Sequence, residues 1–251
     1  MVGPLAYIGG KNRLAKQIIE VFPEHTTYVE AFSGGAQVLF HKEPSKVEVI
    51  NDLDGEVVNF FRVCQRHAGE LIRTVRPLPA SRRLFAWLSD SKVDGLTDIE
   101  RAARFFYLQK NAFGGLVVKQ NYHWSVVQRP NYDPARVPEI IEATRARLER
   151  VQIESLPYEQ ILSRYDRPTT LFYLDPPYFG RKLYRFNFEE KDFVELARRL
   201  ARLRGRFVLS LNDVAPVRRI FSGFRIASGA IHYSAQKTPG NRYGELLITN
   251  F

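Results

Sequence analysis

The sequence predicts an α/β fold with a mostly helical insertion, and three observations predict it. Short apolar runs at 27–31, 46–50 and 171–174 each stop at a turn rich in glycine, acid or proline. Helical spacing of apolar residues follows the first two, as in sheets wound by crossover helices. From about Pro79 to Leu108 strand-like alternation disappears and only helical spacing remains.

In chain order, 14–22 reads as a helix closed near Pro23, whose ring cannot continue it. Residues 27–31 form a short strand that runs directly into Phe32-Ser33-Gly34-Gly35-Ala36 and a helical start. A second strand, 46–50, ends in Asn51-Asp52-Leu53-Asp54. The helix 55–66 follows, with Asp54 placed to cap it. Within 115–128, Leu116-Val117-Val118 and Ser125-Val126-Val127 flank Asn121-Tyr122, which predicts a β-hairpin. Helix returns at 140–150, and 171–174, 207–211 and 246–249 read as buried strands. Between them, 189–206 is an amphipathic helix through Phe193, Leu196, Ala197, Leu200 and Leu203. Its acids sit at the start and its arginines at the end, as the helix dipole favours, so Arg198, Arg199, Arg202 and Arg204 read as a solvated face. No repeat or low-complexity linker interrupts the chain.

At 251 residues, 45% hydrophobic and 13% aromatic, the chain can bury one substantial core plus a smaller lobe. No apolar run approaches the ~18 residues of a membrane span, and 1–11 lacks the pattern of a secretory signal. The lone cysteine, Cys64, cannot form an internal disulfide and suits a reducing cytoplasm. The five histidines are scattered away from other ligand types, so no metal site is expected. Net charge is +10 and unevenly spread. Residues 101–150 hold nine Lys/Arg against four Asp/Glu, and 181–225 hold twelve against five, which leaves the remainder slightly acidic. A basic excess confined to parts of the chain suits a polyanionic partner.

Three candidate sites carry chemistry. Glycine after the first strand lets a ligand approach the backbone, and the next helix offers its N–H groups. Asp52, at the end of the second strand, is placed like the acid that accepts ribose hydroxyls in nucleotide-binding folds. Each alone also has a purely structural reading; together they favour a nucleoside-type cofactor. The third site is Asp175, Pro176, Pro177 and Tyr178, following the strand 171–174. The amino group on a nucleobase is a poor nucleophile, because its lone pair is delocalised into the ring. Asp175 and the Pro176 carbonyl offer two acceptors that can hold both N–H groups and turn the lone pair outward. The prolines stiffen the loop, and Tyr178 offers a face for stacking.

With these motifs the sequence resembles the Dam-like DNA adenine-N6 methyltransferases, in the class α or D12 arrangement, over nearly its whole length. Tyr7-Ile8-Gly9-Gly10-Lys11 resembles the family's N-terminal cofactor motif, 29–35 its cofactor loop, and Asn51-Asp52-Leu53-Asp54 its Asn-Asp-Ile-Asn run. Residues 106–116 and Asn121 resemble the segment opening the target-recognition hairpin, and 242–250 resembles the family's tail. The resemblance implies a Rossmann-like methyltransferase sheet that binds S-adenosylmethionine, with 1–59 and 156–251 as the catalytic domain and 60–155 as the recognition lobe. It implies a cofactor set of Tyr7, Gly10, Lys11, Phe32, Ser33, Gly34, Gly35, Asp52, Leu53, Tyr158 and Asp175. It also implies base flipping in double-stranded DNA. A cytoplasmic, nucleoid-associated monomer without a metal is expected. Lys119, Asn121 and His123 suit reading of base edges, and Arg129 suits a grip on phosphate.

The residues alone leave cytosine-N4, RNA adenine and a catalytically silent DNA-binding relative open. Two positions depart from the pattern. Ala36 stands where relatives have glycine, which costs little if its φ is negative. Pro157-Tyr158 stands where relatives often have Asp-Phe, which keeps an aromatic for the cofactor's adenine and loses an acidic hydrogen bond.

Overall fold

The computed structural model describes residues 2–229 and 244–251. Its elements run α1 (Ala15–Glu20), β1 (Thr27–Glu30), α2 (Gln37–His41), β2 (Val47–Asn51), α3 (Gly55–Arg66), α4 (Ala68–Val75), α5 (Arg82–Asp90) and α6 (Asp98–Asn111). Then follow α7 (Val137–Leu148), β3 (Val151–Glu154), α8 (Tyr158–Tyr165), β4 (Thr170–Leu174), α9 (Glu190–Leu200), β5 (Arg206–Asn212), α10 (Ala215–Ile220), β6 (Arg225–Gly229) and β7 (Glu245–Thr249). The strands form one sheet in the order β3-β2-β1-β4-β5-β7-β6. The first five are mutually parallel, while β7 lies antiparallel between β5 and β6. This is a Rossmann-like methyltransferase sheet with a helical insertion between β2 and β3.

Sequence alternation explains the layers. Side chains of a strand point alternately to its two faces. Tyr28 of β1 with Leu171 and Tyr173 of β4 pack on one side, while Val29, Phe172 and Leu174 pack on the other. All five residues of β4 are buried, as expected for a central parallel strand covered by helices on both faces. The first core continues without a break into the insertion through Phe60, Phe61, Phe105 and Phe106. Phe60 and Phe106 stack at 5.7 Å and 12°, joining α3 to α6. A capping box between Thr97 and Glu100 fixes the start of α6, a device worth roughly 1 kcal/mol.

Chain order also locates the ligand crevice. From β1 the chain winds outward to β2 and β3, then returns to place β4 on the other side of β1. Loops that leave the carboxyl ends of β1 and β4 therefore diverge, and a cleft opens between them. The 32–36 turn follows β1 and Asp175 follows β4.

Several details differ from the sequence reading. The expected β-hairpin at 115–128 does not form as two strands. A single bridge joins Ala112 to Tyr122, flanked by Phe113 N–H to Asn121 O (2.8 Å) and His123 N–H to Asn111 O (2.7 Å). Val126 and Val127 are 88% and 86% exposed, so the apolar run that suggested a buried strand faces solvent. The helix expected over 189–206 ends at Leu200, because the Asp166 carboxylate accepts from Arg204 N–H and Gly205 N–H and turns the chain into β5. Arg198 and Arg199 pair with Glu195 on the exposed face of α9. The sequence reading did not resolve α4, β3, α8, α10 and β6. Of these β3 pairs with β2, so the sheet takes in residues on the lobe side of the 155/156 division.

Arg242 and Tyr243 of the tail motif lie outside the described residues. Among the described residues, no helix is long and apolar enough to cross a membrane.

Candidate active site

The turn after β1 is held by the ends of its neighbours. Ser33 N–H donates to Asn51 O (2.8 Å), and Gly34 N–H donates to Asp52 Oδ2 (2.8 Å). Asp52 Oδ1 accepts from Asp54 N–H (2.9 Å), and Asp54 in turn caps α3 through Glu56 N–H (3.0 Å), as its position suggested. Burial, against these backbone bonds, pushes the Asp52 carboxyl up to about 6. Asn51 clamps the crevice: its amide donates to Ala31 O and Leu156 O, and its Oδ1 accepts from Leu156 N–H.

Ala36 corrects an expectation. Its φ is +49°, so it adopts the left-handed conformation that favours glycine, at a cost of about 1–2 kcal/mol. Its methyl is fully buried in the core, and that packing offsets part of the cost.

The N-terminal motif reaches this turn from across the cleft. Ile8 N–H donates to Gly115 O (2.9 Å) and the Tyr184 hydroxyl donates to Ile8 O (3.1 Å), so the lobe and the loop after β4 both pin it. Tyr7 stacks on Tyr184 at 6.3 Å and covers Gly34. Gly34 has φ +46°, and an added Cβ would lie 2.8 Å from Tyr7 Cε1. We expect Gly34→Ala to displace Tyr7 and weaken S-adenosylmethionine binding on the order of tenfold by calorimetry, about 1.4 kcal/mol. Gly114→Ala, with φ +63° and no atom within 4 Å of the added methyl, is the matched control and should leave affinity unchanged. Equal affinities for the two variants would remove the Tyr7–Gly34 contact from the cofactor site.

Lys11 crosses to the other wall. Its buried ammonium donates to both oxygens of Asp175 (2.6 and 2.7 Å), to Gly9 O (3.1 Å) and to the Tyr178 hydroxyl (2.9 Å). The Tyr178 hydroxyl donates to the Glu245 carboxylate at 2.6 Å, and Ser210 Oγ also donates to Glu245. Glu245 lies 3.5 Å from the Lys11 ammonium. Burial pushes the Asp175 carboxyl up to about 6; Lys11 pulls it down and Glu245 pushes it further up. The Asp175 side chain remains 20% exposed, so it is braced from behind and open in front.

Both walls line one cavity of about 580 Å³, a size suited to a nucleoside-type ligand. Tyr7, Gly10, Lys11, Phe32, Ser33, Gly34, Gly35, Asp52, Leu53, Tyr158, Asp175 and Pro177 all line it, so every residue of the expected cofactor set is brought together. Pro176 is buried, and Tyr178 is half-buried with its hydroxyl bonded to Glu245. Tyr158 packs on Phe32 (5.4 Å) and Phe188 (5.7 Å), an apolar aromatic patch of the kind an adenine ring fills. Asp54 Oδ2 and the Tyr173 hydroxyl, both on the cavity wall, are buried without a hydrogen-bond partner among the described residues. An aromatic patch, a strand-end carboxylate and buried polar atoms together fit the adenine, ribose and amino-acid ends of S-adenosylmethionine.

Residues expected to read DNA lie away from the cavity, on the lobe. Lys119, Asn121 and Arg129 are exposed, and half-buried His123 packs on Phe113 at 5.7 Å. Tyr122 and Trp124 divide: Tyr122 packs against core Phe85 at 5.6 Å, while Trp124 is 64% exposed. Sequence reasoning had assigned no role to Glu245, Ser210 or Tyr184, and Asn51 was seen only as part of a motif. Among the described residues, no group of three His, Cys, Asp or Glu is arranged to hold a metal ion.

Comparison with known proteins agrees with this geometry. Residues 7–234 match the family model described as D12 class N6 adenine-specific DNA methyltransferase. The chain is 25% identical to the Type II methyltransferase M1.LlaDCHI of Lactococcus lactis subsp. cremoris, over 98% of this chain and 94% of that protein. It is 26% identical to the DNA N-6-adenine-methyltransferase of Escherichia phage P1, over 88% of this chain and 31% of that longer protein. It is 23% identical to the Type II methyltransferase M.CviBI of Paramecium bursaria Chlorella virus NC1A, over 86% and 85%.

Proposed function

Because the chain belongs to the D12 class N6 adenine-specific DNA methyltransferase family, we propose that it methylates the N6 amino group of adenine at a specific site in double-stranded DNA. Family membership implies S-adenosylmethionine as methyl donor. The observation that carries the finer reading is Asp175: a carboxylate braced by Lys11, open to solvent on one side, in the same cavity as Asp52.

When bound, S-adenosylmethionine supplies an electrophilic methyl whose leaving group already carries positive charge, so the protein contributes placement and electrostatics. Asp52 would hold its ribose hydroxyls, while Phe32, Tyr158 and Phe188 would enclose its adenine. The target base, extruded from its duplex, is received by Asp175 and the Pro176 carbonyl, which accept the two N6 hydrogens. Lys11 occupies one lone pair on each Asp175 oxygen, and each oxygen keeps another for the base. N6 turns acidic as it gains a fourth bond, and Asp175 is the base beside it. Tyr178 supplies the stacking face while Glu245 fixes its hydroxyl. The reading carries with it a cytoplasmic, nucleoid-associated monomer.

On the lobe, Asn121 and His123 read base edges and Arg129 grips a phosphate. Replacing Asn121 or His123 should relax sequence choice at one position by roughly 1–3 kcal/mol. Replacing Arg129 should weaken all sequences alike and lower the salt slope of binding by about one. Unchanged site preference in both Asn121 and His123 variants would move specificity off this segment, to the loop 179–188.

The proposal is tested by methylation of mixed-sequence DNA with modified positions read at base resolution. N6-methyladenine within one short sequence is expected. Methylated cytosine, or modification of RNA alone, would overturn the adenine-in-DNA assignment.

A further inference from the structure

A second, smaller cavity of about 230 Å³ lies between α6, residues 117–120 and the loop after β4. Arg104, Lys119 and Arg185 line it, and no carboxylate does among the described residues. Its remaining polar wall includes Gln109 and Gln120, whose amide groups bond each other. Like charges gathered around one hollow repel, and an anion relieves the repulsion. Burial holds the Arg104 guanidinium below its ordinary value; Glu56 opposes that effect and Arg185 adds to it. Arg104 is fixed by donating to Leu88 O (2.7 Å) and Ser89 O (3.1 Å). Lys119 sits at φ +50°, a strained conformation for a lysine, and strain of this kind concentrates at functional positions. Gln120 anchors that turn by donating to Leu116 O (2.7 Å).

Arg185 belongs to both cavities. It donates to Asp54 Oδ1 (3.1 Å) on the wall of the larger one, and it also lines the smaller. A group held in the small cavity therefore lies beside the wall of the larger one. We propose that this cavity binds one backbone phosphate of the DNA strand, held jointly by Lys119 and Arg185 over Arg104. Lys119 then grips phosphate and does not read a base edge. The inference rests on the reading that the chain binds DNA, and it does not depend on which base is methylated.

The test measures binding of mixed-sequence duplex against salt concentration for wild type, Lys119→Gln, Arg185→Gln and the double variant, with circular dichroism melting to confirm folding. The slope of log affinity against log salt counts the phosphates neutralised, at about 0.9 each. A single shared phosphate predicts that the double variant loses about one unit of slope in total. A loss of about two would mean separate phosphates, and no loss would mean no phosphate; either overturns the proposal. Site preference, read from methylated mixed-sequence DNA, should be unchanged in Lys119→Gln, and a relaxed position would return Lys119 to base reading. S-adenosylmethionine affinity without DNA should also be unchanged in Lys119→Gln. Weakened affinity would assign the cavity to the cofactor's carboxylate and overturn the proposal. The binding arms need no methyl transfer, so they stand even where the methylation assay finds no adenine product.

Discussion

Asp175→Ala is expected to reduce methyl transfer by about a thousandfold or more while leaving duplex affinity within a few-fold. Removing one preorganised polar group from a catalytic site typically costs a factor of ~10²–10³, and removing a positioned proton acceptor a factor of ~10²–10⁴. In the proposed reaction Asp175 serves in both capacities, and it lines the cavity, whereas the lobe residues assigned to DNA are exposed and outside it. The fold should tolerate the change, because the Lys11 ammonium keeps Glu245 at 3.5 Å as a counter-charge. Single-turnover methylation alongside duplex binding checks it. Near-normal turnover would remove Asp175 from the chemistry.

Lys11→Met is expected to act through the same carboxylate, and to show it in the pH profile. Lys11 lowers the Asp175 pKa while burial and Glu245 raise it, with the balance at about 6. An opposite charge at this range is worth about 1–3 pK units. Without it burial and Glu245 move the carboxyl further up. The accepting form is the carboxylate, so activity appears as pH rises through this value. The acid limb of the wild-type rate profile should lie near 6, and in the variant it should shift upward. With an upward shift of about 1–3 units the loss at pH 7 is roughly 2–100-fold, and activity recovers as pH rises. A profile scaled down at every pH, with its acid limb unmoved, would mean that Lys11 serves the cofactor alone.

Much of this site was legible in the sequence because its parts sit at strand ends, where a short motif and a position in the fold coincide. Asp52 and Asp175 follow apolar strands, and the topology brings their turns to a common cleft. What escaped was of two kinds. Ser210 and Glu245 are polar residues in buried strands, far apart in sequence, and only the antiparallel insertion of β7 beside β5 brings them together beneath Tyr178. The second kind is local backbone geometry. Nothing in the letters at Ala36 or Lys119 reveals a positive φ. The hairpin over-reading has its own cause: Val126 and Val127 carry strand propensity, yet they lie on a surface of the lobe and not against its core. The edge strands β3 and β6 carry no run of three apolar residues like those in β4 and β7, so neither stands out as a strand.

The most direct test is a crystal structure of the protein with S-adenosylhomocysteine and a duplex carrying its mapped site. The expected result is an extruded adenine whose N6 lies within hydrogen-bond reach, about 2.7–3.2 Å, of the Asp175 carboxylate and the Pro176 carbonyl. Tyr178 should lie against the ring, and Asp52 should meet the cofactor's ribose. A target base left stacked in its duplex, or a cofactor bound away from Asp52 and Asp175, would contradict it.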